Sequence, residues 1–210
     1  MVKKRKTAAE HGAELEADPA FVRRQREQED RVRQHLEEMY RAEAPVVEAL
    51  SEAGVRVKTV WDLVNTRAQY PNALPILWQH LQEPYPDIVL RGIAGALAVP
   101  EAIQWWDSVV ELFQARQGER VNGVKTALAA VLSAAADDHH VGDVIRLVDD
   151  PSHGEHRLVL LNVLARSARP EAQAALERAA QDPQLMKEAK IQLRFLARRK
   201  RKGILQSGTD

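Results

Sequence analysis

Residues 73–102 read ALPILWQHLQEPYPDIVLRGIAGALAVPEA, and the fold follows from them. Leu74, Leu77 and Leu81 fall three and four apart, on one helical stripe, with Trp78 beside them. Pro75 suits a first turn, where the missing N–H costs nothing. Pro84 cannot continue a helix and restricts the residue before it, so the first helix ends near Gln82. Pro86 and Asp87 start a second helix, since proline and an acidic side chain both fit its positive N-terminal end. Its stripe is Leu90, Ile93, Ala94 and Leu97, and Pro100 closes it. The stretch predicts a helical hairpin.

The spacing recurs downstream. Arg91 is followed three and six residues later by Ala94 and Leu97, Lys125 by Leu128 and Val131, Arg157 by Leu160 and Val163, and Lys190 by Leu193 and Leu196. These basic positions are 34, 32 and 33 residues apart. The turns before them, at Pro84, Gly118, Pro151 and Pro183, keep step at 34, 33 and 32. The exit recurs as well, as Pro100-Glu101-Ala102 and Pro170-Glu171-Ala172. One hairpin cannot bury its own apolar face, whereas neighbours stacked at a fixed period can, so the pattern predicts an α-solenoid.

With its Pro-Tyr-Pro-Asp turn, Arg91-x-x-Ala94-x-x-Leu97 stripe and Pro-Glu-Ala exit, this pattern resembles the HEAT repeat in its short bacterial form. The resemblance covers roughly residues 58–200, most closely in the first unit. Trp61-Asp62-Leu63-Val64-Asn65-Thr66 is similar to a segment of bacterial HEAT-repeat proteins of unassigned activity. It implies an all-α fold: a short right-handed solenoid of about four to five hairpins, armadillo-like, behind a charged N-terminal helix.

Composition narrows the function classes. The chain has 210 residues, 30 basic against 30 acidic, so no global field draws it to nucleic acid or membrane. The charge is nonetheless uneven: residues 3–6 are Lys-Lys-Arg-Lys and 198–202 are Arg-Arg-Lys-Arg-Lys. There is no cysteine, hence no disulfide, thiol nucleophile or thiolate metal site. The longest near-apolar run, Ala127 to Ala136, is too short to span a bilayer, and the basic N-terminus lacks the apolar core of a secretory signal. A cytoplasmic protein without membrane contact is expected.

Along the chain, residues 1–17 are polar and aperiodic and read as disordered. Residues 18–54 read as a charged helix and the start of a capping hairpin. Asp18-Pro19 opens the helix, and 23–31 is polar all round, with i, i+4 pairs such as Arg23–Glu27 and Arg26–Asp30. Val32, Leu36, Met39 and Tyr40 form its first apolar stripe. Pro45 breaks or kinks it, and Gly54 ends it. Val57, Val60, Trp61 and Val64 continue the capping hairpin as a helix. Residues 55–202 are the repeat domain, and 203–210 a disordered tail.

The candidate chemistry is sparse. His139, His140, His153 and His156 invite a metal reading, but the helix from Val141 to Val148 holds the two pairs roughly 12 Å apart, beyond what one ion spans. They read as solvated loop histidines, and neither metal nor cofactor is expected. Trp105-Trp106-Asp107 looks like a segment of the HEAT-like alkylpurine DNA glycosylases. That family's catalytic aspartate lies four residues after a tryptophan, where this chain has Val109 and Val110, so Trp106, Val109, Val110 and Phe113 read as a core stripe. No hydrolase, zinc-protease, phosphate-loop or dinucleotide signature is present. The expectation is therefore a non-enzyme.

The most organised polar feature is the basic row Arg91, Lys125, Arg157 and Lys190, extended by Arg194 and Arg198. Two roles fit it: tying neighbouring repeats together, or reading an acidic ligand along one face. The expected function is a protein–protein interaction module, a scaffold, adaptor or immunity-type binder, using the concave face of the second helices. The alternative is nucleic-acid binding through the basic row and the C-terminal basic run.

Overall fold

A computed structural model describes residues 19–118, 121 and 123–206. Among them the secondary structure is all helical, with no strand. The disorder expected for 1–17 lies outside the described residues. The chain divides between Ala44 and Pro45 into two compact units.

Helix α1 (Pro19–Glu52) supplies the whole described part of the first unit. Residues 23–34 are all exposed, as the uniformly polar run 23–31 requires. Helix α1 runs on through Pro45, so of the break or kink expected there the break does not occur. Val46 and Leu50 just beyond it are fully buried. Burial worth roughly 1.5–3 kcal/mol for each outweighs one missing helical hydrogen bond. The helix stops where a left-handed glycine is available. Gly54 has φ +83°, its amide donates to Ser51 O (3.0 Å), and Val55 donates to Leu50 O (2.8 Å), which is a Schellman closure.

The second unit begins irregularly. The helix expected from Val57 is a single turn, α2 (Trp61–Val64). The Asp62 carboxylate accepts the amides of Lys58 (2.8 Å) and Thr59 (3.2 Å), and Thr59 Oγ1 accepts the Trp61 amide (3.0 Å). These side chains hold 58–60 as a capping turn instead of helix.

Four hairpins follow. Helices α3 (Leu74–Leu81) and α4 (Asp87–Ala96) are separated by the Pro84–Pro86 turn, as expected. A 3₁₀ turn (Pro100–Trp105) leads into α5 (Trp106–Ala115) and then α6 (Val124–Ala135). Helix α7 (Val141–Asp149), a 3₁₀ segment (Pro151–Leu160) and α8 (Leu161–Arg166) make the third. Helices α9 (Pro170–Ala179) and α10 (Met186–Gln206) make the fourth. Residues 203–206 are thus helical, contrary to the disordered tail expected there; 207–210 lie outside the described residues.

Each hairpin packs on the next: α2 against α4, α4 against α6, α6 against the 151–160 segment, α8 against α10, and α7 against α9. The core runs through the first three predicted stripes, with Leu77, Ile93, Ala94, Leu97, Leu128, Val131, Leu160 and Val163 almost completely buried, while Leu193 and Leu196 of the fourth are half-buried. Beyond Asp87, neither α4 nor α6 has an exposed residue. Glycine makes the first of these packings possible. A Cβ on Gly92 would lie 2.6 Å from Val60 Cγ2, and one on Gly95 would lie 3.1 Å from Val64 Cγ2. No single helix among the described residues is long and apolar enough to cross a membrane.

Candidate functional site

The basic row divides into three environments. Lys125 and Arg157 are 1% and 2% exposed, and their head groups make parallel sets of contacts. Lys125 Nζ donates to Arg116 O (2.6 Å), nine residues back at the end of the preceding helix. It also donates to His153 Nδ1 (3.2 Å), 28 residues on, and sits 4.9 Å from the centre of the Phe113 ring. Arg157 Nη1 donates to Val148 O (2.9 Å), again nine residues back. Its Nη2 donates to Gln184 Oε1 (2.9 Å), 27 residues on, its Nη1 pairs with Asp182 Oδ2 (2.8 Å), and its Nε donates to Gly154 O (2.8 Å). Each cation therefore closes its own hairpin and fastens the next. Of the two roles these residues offered in sequence, the tie between neighbours is the one their burial allows; a ligand cannot reach them.

Arg91 is half-buried, with its guanidinium 5.1 Å from the Trp61 ring centre, stacked over α2 where Gly92 lets that turn approach. Lys190, Arg194 and Arg198 are exposed on α10. The row expected along one open face is thus mostly internal, and only its C-terminal members face solvent.

Other contacts cross the same seams. Arg166 Nη2 donates to Ala136 O (2.6 Å), Ser167 Oγ to Asp138 Oδ1 (2.8 Å), Arg178 Nη2 to Asp149 Oδ2 (2.7 Å) and Gln192 Nε2 to Asn162 Oδ1 (2.9 Å). All four span 29 or 30 residues.

The reading of four solvated histidines needs correction at His153 and His156, which are 3% and 6% exposed. Both were drawn inward by partners on α6: His153 by Lys125, His156 Nδ1 by Thr126 Oγ1 (2.8 Å). Because Nδ1 of His153 accepts from the ammonium, the ring proton sits on Nε2. That atom has no hydrogen-bond partner among the described residues, and Asp150 Oδ2 stands 3.7 Å away. Burial and the Lys125 charge together hold His153 below its ordinary pKa of 6.5. Across the next seam, burial pushes Asp182 up, but the Gln184 amide and the Arg157 guanidinium prevail and bring it below the usual carboxylate value. No group of three or more metal-ligating side chains forms among the described residues.

Trp105 and Trp106, adjacent in sequence, have different partners. Trp106, Val109 and Phe113 are buried as the expected core stripe, with Val110 half-buried. Trp106 Nε1 donates to Asp143 Oδ2 on α7 (3.0 Å), and its ring lies 4.2 Å from that of His140. Trp105 stacks on Trp78, centroids 5.3 Å apart and planes 12° apart.

Sequence reasoning missed the concavities around residues 66–71. One, of about 350 Å³, is lined by Arg67, Tyr70, Leu74, Val99, Pro100 and Glu101 among others. A second, of about 460 Å³, is lined by Arg56, Val57, Leu63 and Asn72. They share Thr66, Ala68, Gln69, Tyr70 and Pro71 as a common wall. Tyr70 is held by a hydrogen bond from its hydroxyl to Ala96 O (2.9 Å), which fixes the wall to the end of α4. Burial, then the Glu101 charge, raises the Tyr70 pKa above 10.0, so the hydroxyl stays a donor at neutral pH. The cue in sequence was the aperiodic run Asn65–Asn72 between two helices. The chain matches no protein-family model, no curated protein and no solved structure.

Proposed function

We propose that this chain is a non-catalytic protein-binding module, a short right-handed stack of HEAT-like hairpins acting as a scaffold, adaptor or immunity-type binder. The serial packing of α4 on α6, α6 on the 151–160 segment and α8 on α10, with polar contacts recurring at 25 to 30 residues, supports the stack. The cysteine-free composition fits a reducing, cytoplasmic setting.

One observation carries the binding role: the double cleft divided by Tyr70. Its walls combine an anchored aromatic ring, prolines, aliphatic side chains and a charged rim of Arg56, Arg67 and Glu101. Apolar pockets with an aromatic anchor and polar rim are what a protein ligand's side chains fill. With Lys125 and Arg157 consumed in the seams, the proposed binding surface is this cleft, which carries the anchored Tyr70 ring, rather than the second helices. The test is capture from native lysate by the full chain, by Arg67→Glu/Glu101→Arg, and by the remote control Glu177→Arg. A protein retained by wild type and control and lost by the cleft variant agrees with the proposal. Equal retention by all three, or recovery of nucleic acid alone, overturns it.

A second reading, nucleic-acid binding, is favoured by the exposed basic stripe Lys190, Arg194 and Arg198, which recurs every fourth residue along α10. Phosphate contacts weaken steeply with salt. A gel shift lost between 50 and 200 mM salt and lost in Arg194→Glu/Arg198→Glu supports this reading; no shift at low salt removes it.

A further inference from the structure

Helix α1 carries an apolar stripe that is open among the described residues. Val32, Leu36 and Tyr40 are 53%, 43% and 52% exposed, and Phe21, Val22 and Met39 are half-buried. At about 100° per residue these six fall within roughly one third of the helix circumference. From Phe21 to Tyr40 this face extends about 28 Å, apolar at its two ends and polar between Val22 and Val32, where it carries Gln25, Gln28 and Glu29. Phe21, Val32 and Leu36 also border a concavity of about 780 Å³ along the helix, with Arg24, Gln25, Gln28, Glu29 and Arg33.

The charges beside the stripe identify what covers it. Its N-terminal end is flanked by Arg24 and Arg26, its C-terminal end by Glu37, and Glu29 and Arg33 lie between. Side chains on one flank of an antiparallel helix pair meet the same flank of the partner. If two copies cross near residue 31, Arg26 of one copy faces Glu37 of the other on one flank, and Arg33 faces Glu29. Two-fold symmetry doubles each pair. In the same register Phe21 and Val22 lie against Tyr40, and Gln25 lies against Leu36. A parallel arrangement instead sets Arg24 beside Arg26, like against like. Arg33, which pairs with Asp30 within the single helix, needs only a rotamer change to reach the second copy.

We propose that the α1 stripe is the docking surface for a second copy of this chain, packed antiparallel. The interface is independent of the Tyr70 cleft.

Sedimentation equilibrium on the full chain tests it. The expected result is a mass rising from one copy to two with concentration. Val32→Glu/Leu36→Glu, exposed positions whose change leaves helix content by circular dichroism intact, stays at one copy throughout. Orientation is read by cross-linking, since the natural chain has no cysteine. Gln25→Cys mixed with Leu36→Cys gives the mixed disulfide in excess, while neither alone cross-links efficiently. One copy for wild type at every concentration overturns the proposal, and so does efficient self-linking of each cysteine variant.

Discussion

Lys125 Nζ lies 3.2 Å from His153 Nδ1, across 28 residues of chain. Arg157 repeats the relationship one hairpin later with Gln184 and Asp182. A buried ammonium facing a neutral imidazole and a helix-end carbonyl is satisfied only while both hairpins stay docked. The seam is thus an obligate polar contact inside an otherwise apolar core, and its energetics can be read by mutation.

Removing either cation strands several acceptors. Arg157→Met leaves Val148 O, Gly154 O and the Asp182 carboxylate short of a donor, and is expected to cost about 3–5 kcal/mol in urea unfolding. Arg157→Lys recovers little of this, because one ammonium cannot reproduce a planar fork reaching four acceptors. If the lysine variant equals wild type, the fork geometry is not what matters.

Acid should loosen the first seam. His153 has a folded pKa below its ordinary 6.5, so its contribution is complete above pH 6.5 and declines as pH falls from there through the folded value. Asp182 adds a second loss below its ordinary 3.8. Unfolding free energy should therefore fall between pH 7.5 and 5.5, and His153→Gln should flatten that slope. An unchanged slope in the variant would show that the titration lies elsewhere.

The glycines separate close packing from mere flexibility. Gly92→Ala forces a Cβ to 2.6 Å from Val60 Cγ2 and is expected to cost about 1–3 kcal/mol. Gly142→Ala in α7 meets nothing within 4 Å and should be neutral or gain up to about 0.5 kcal/mol. Thermal melts of the two variants give opposite signs if α2 is seated on Gly92.

The Trp78–Trp105 stack joins α3 to the turn that opens the next hairpin. A double-mutant cycle with Trp78→Leu and Trp105→Leu should return a coupling of about 0.5–1.5 kcal/mol. Additive effects would mean that the rings are neighbours without being energetically coupled.

Helical periodicity and proline turns gave the class and hairpins directly, because Leu74-Leu77-Leu81 and Leu90-Ile93-Leu97 admit one buried face each. Long-range polar capture was harder to read. Asp62 reaching back to Lys58 and Thr59 replaced the first half of an expected helix, and nothing in the spacing of Val57 and Val60 signals it. The histidines were misplaced for a related reason: periodicity finds apolar faces, whereas His153 and His156 are buried by polar partners 28 and 30 residues away. A faint cue existed, since a polar side chain follows Pro151 and Pro183 closely, as His153 and Gln184, at nearly the offset the seam uses. The Tyr70 cleft lay in a run without periodicity, so only its outline as a loop was visible.

The central claim is that two buried cations, Lys125 and Arg157, lock the second hairpin to the third and the third to the fourth. Amide hydrogen exchange followed by mass spectrometry on Arg157→Met tests it most directly. Faster exchange is predicted on both sides of the seam, in 145–160 and 181–189, with 74–96 unchanged. Faster exchange confined to 151–160, or spread evenly over the chain, would contradict it.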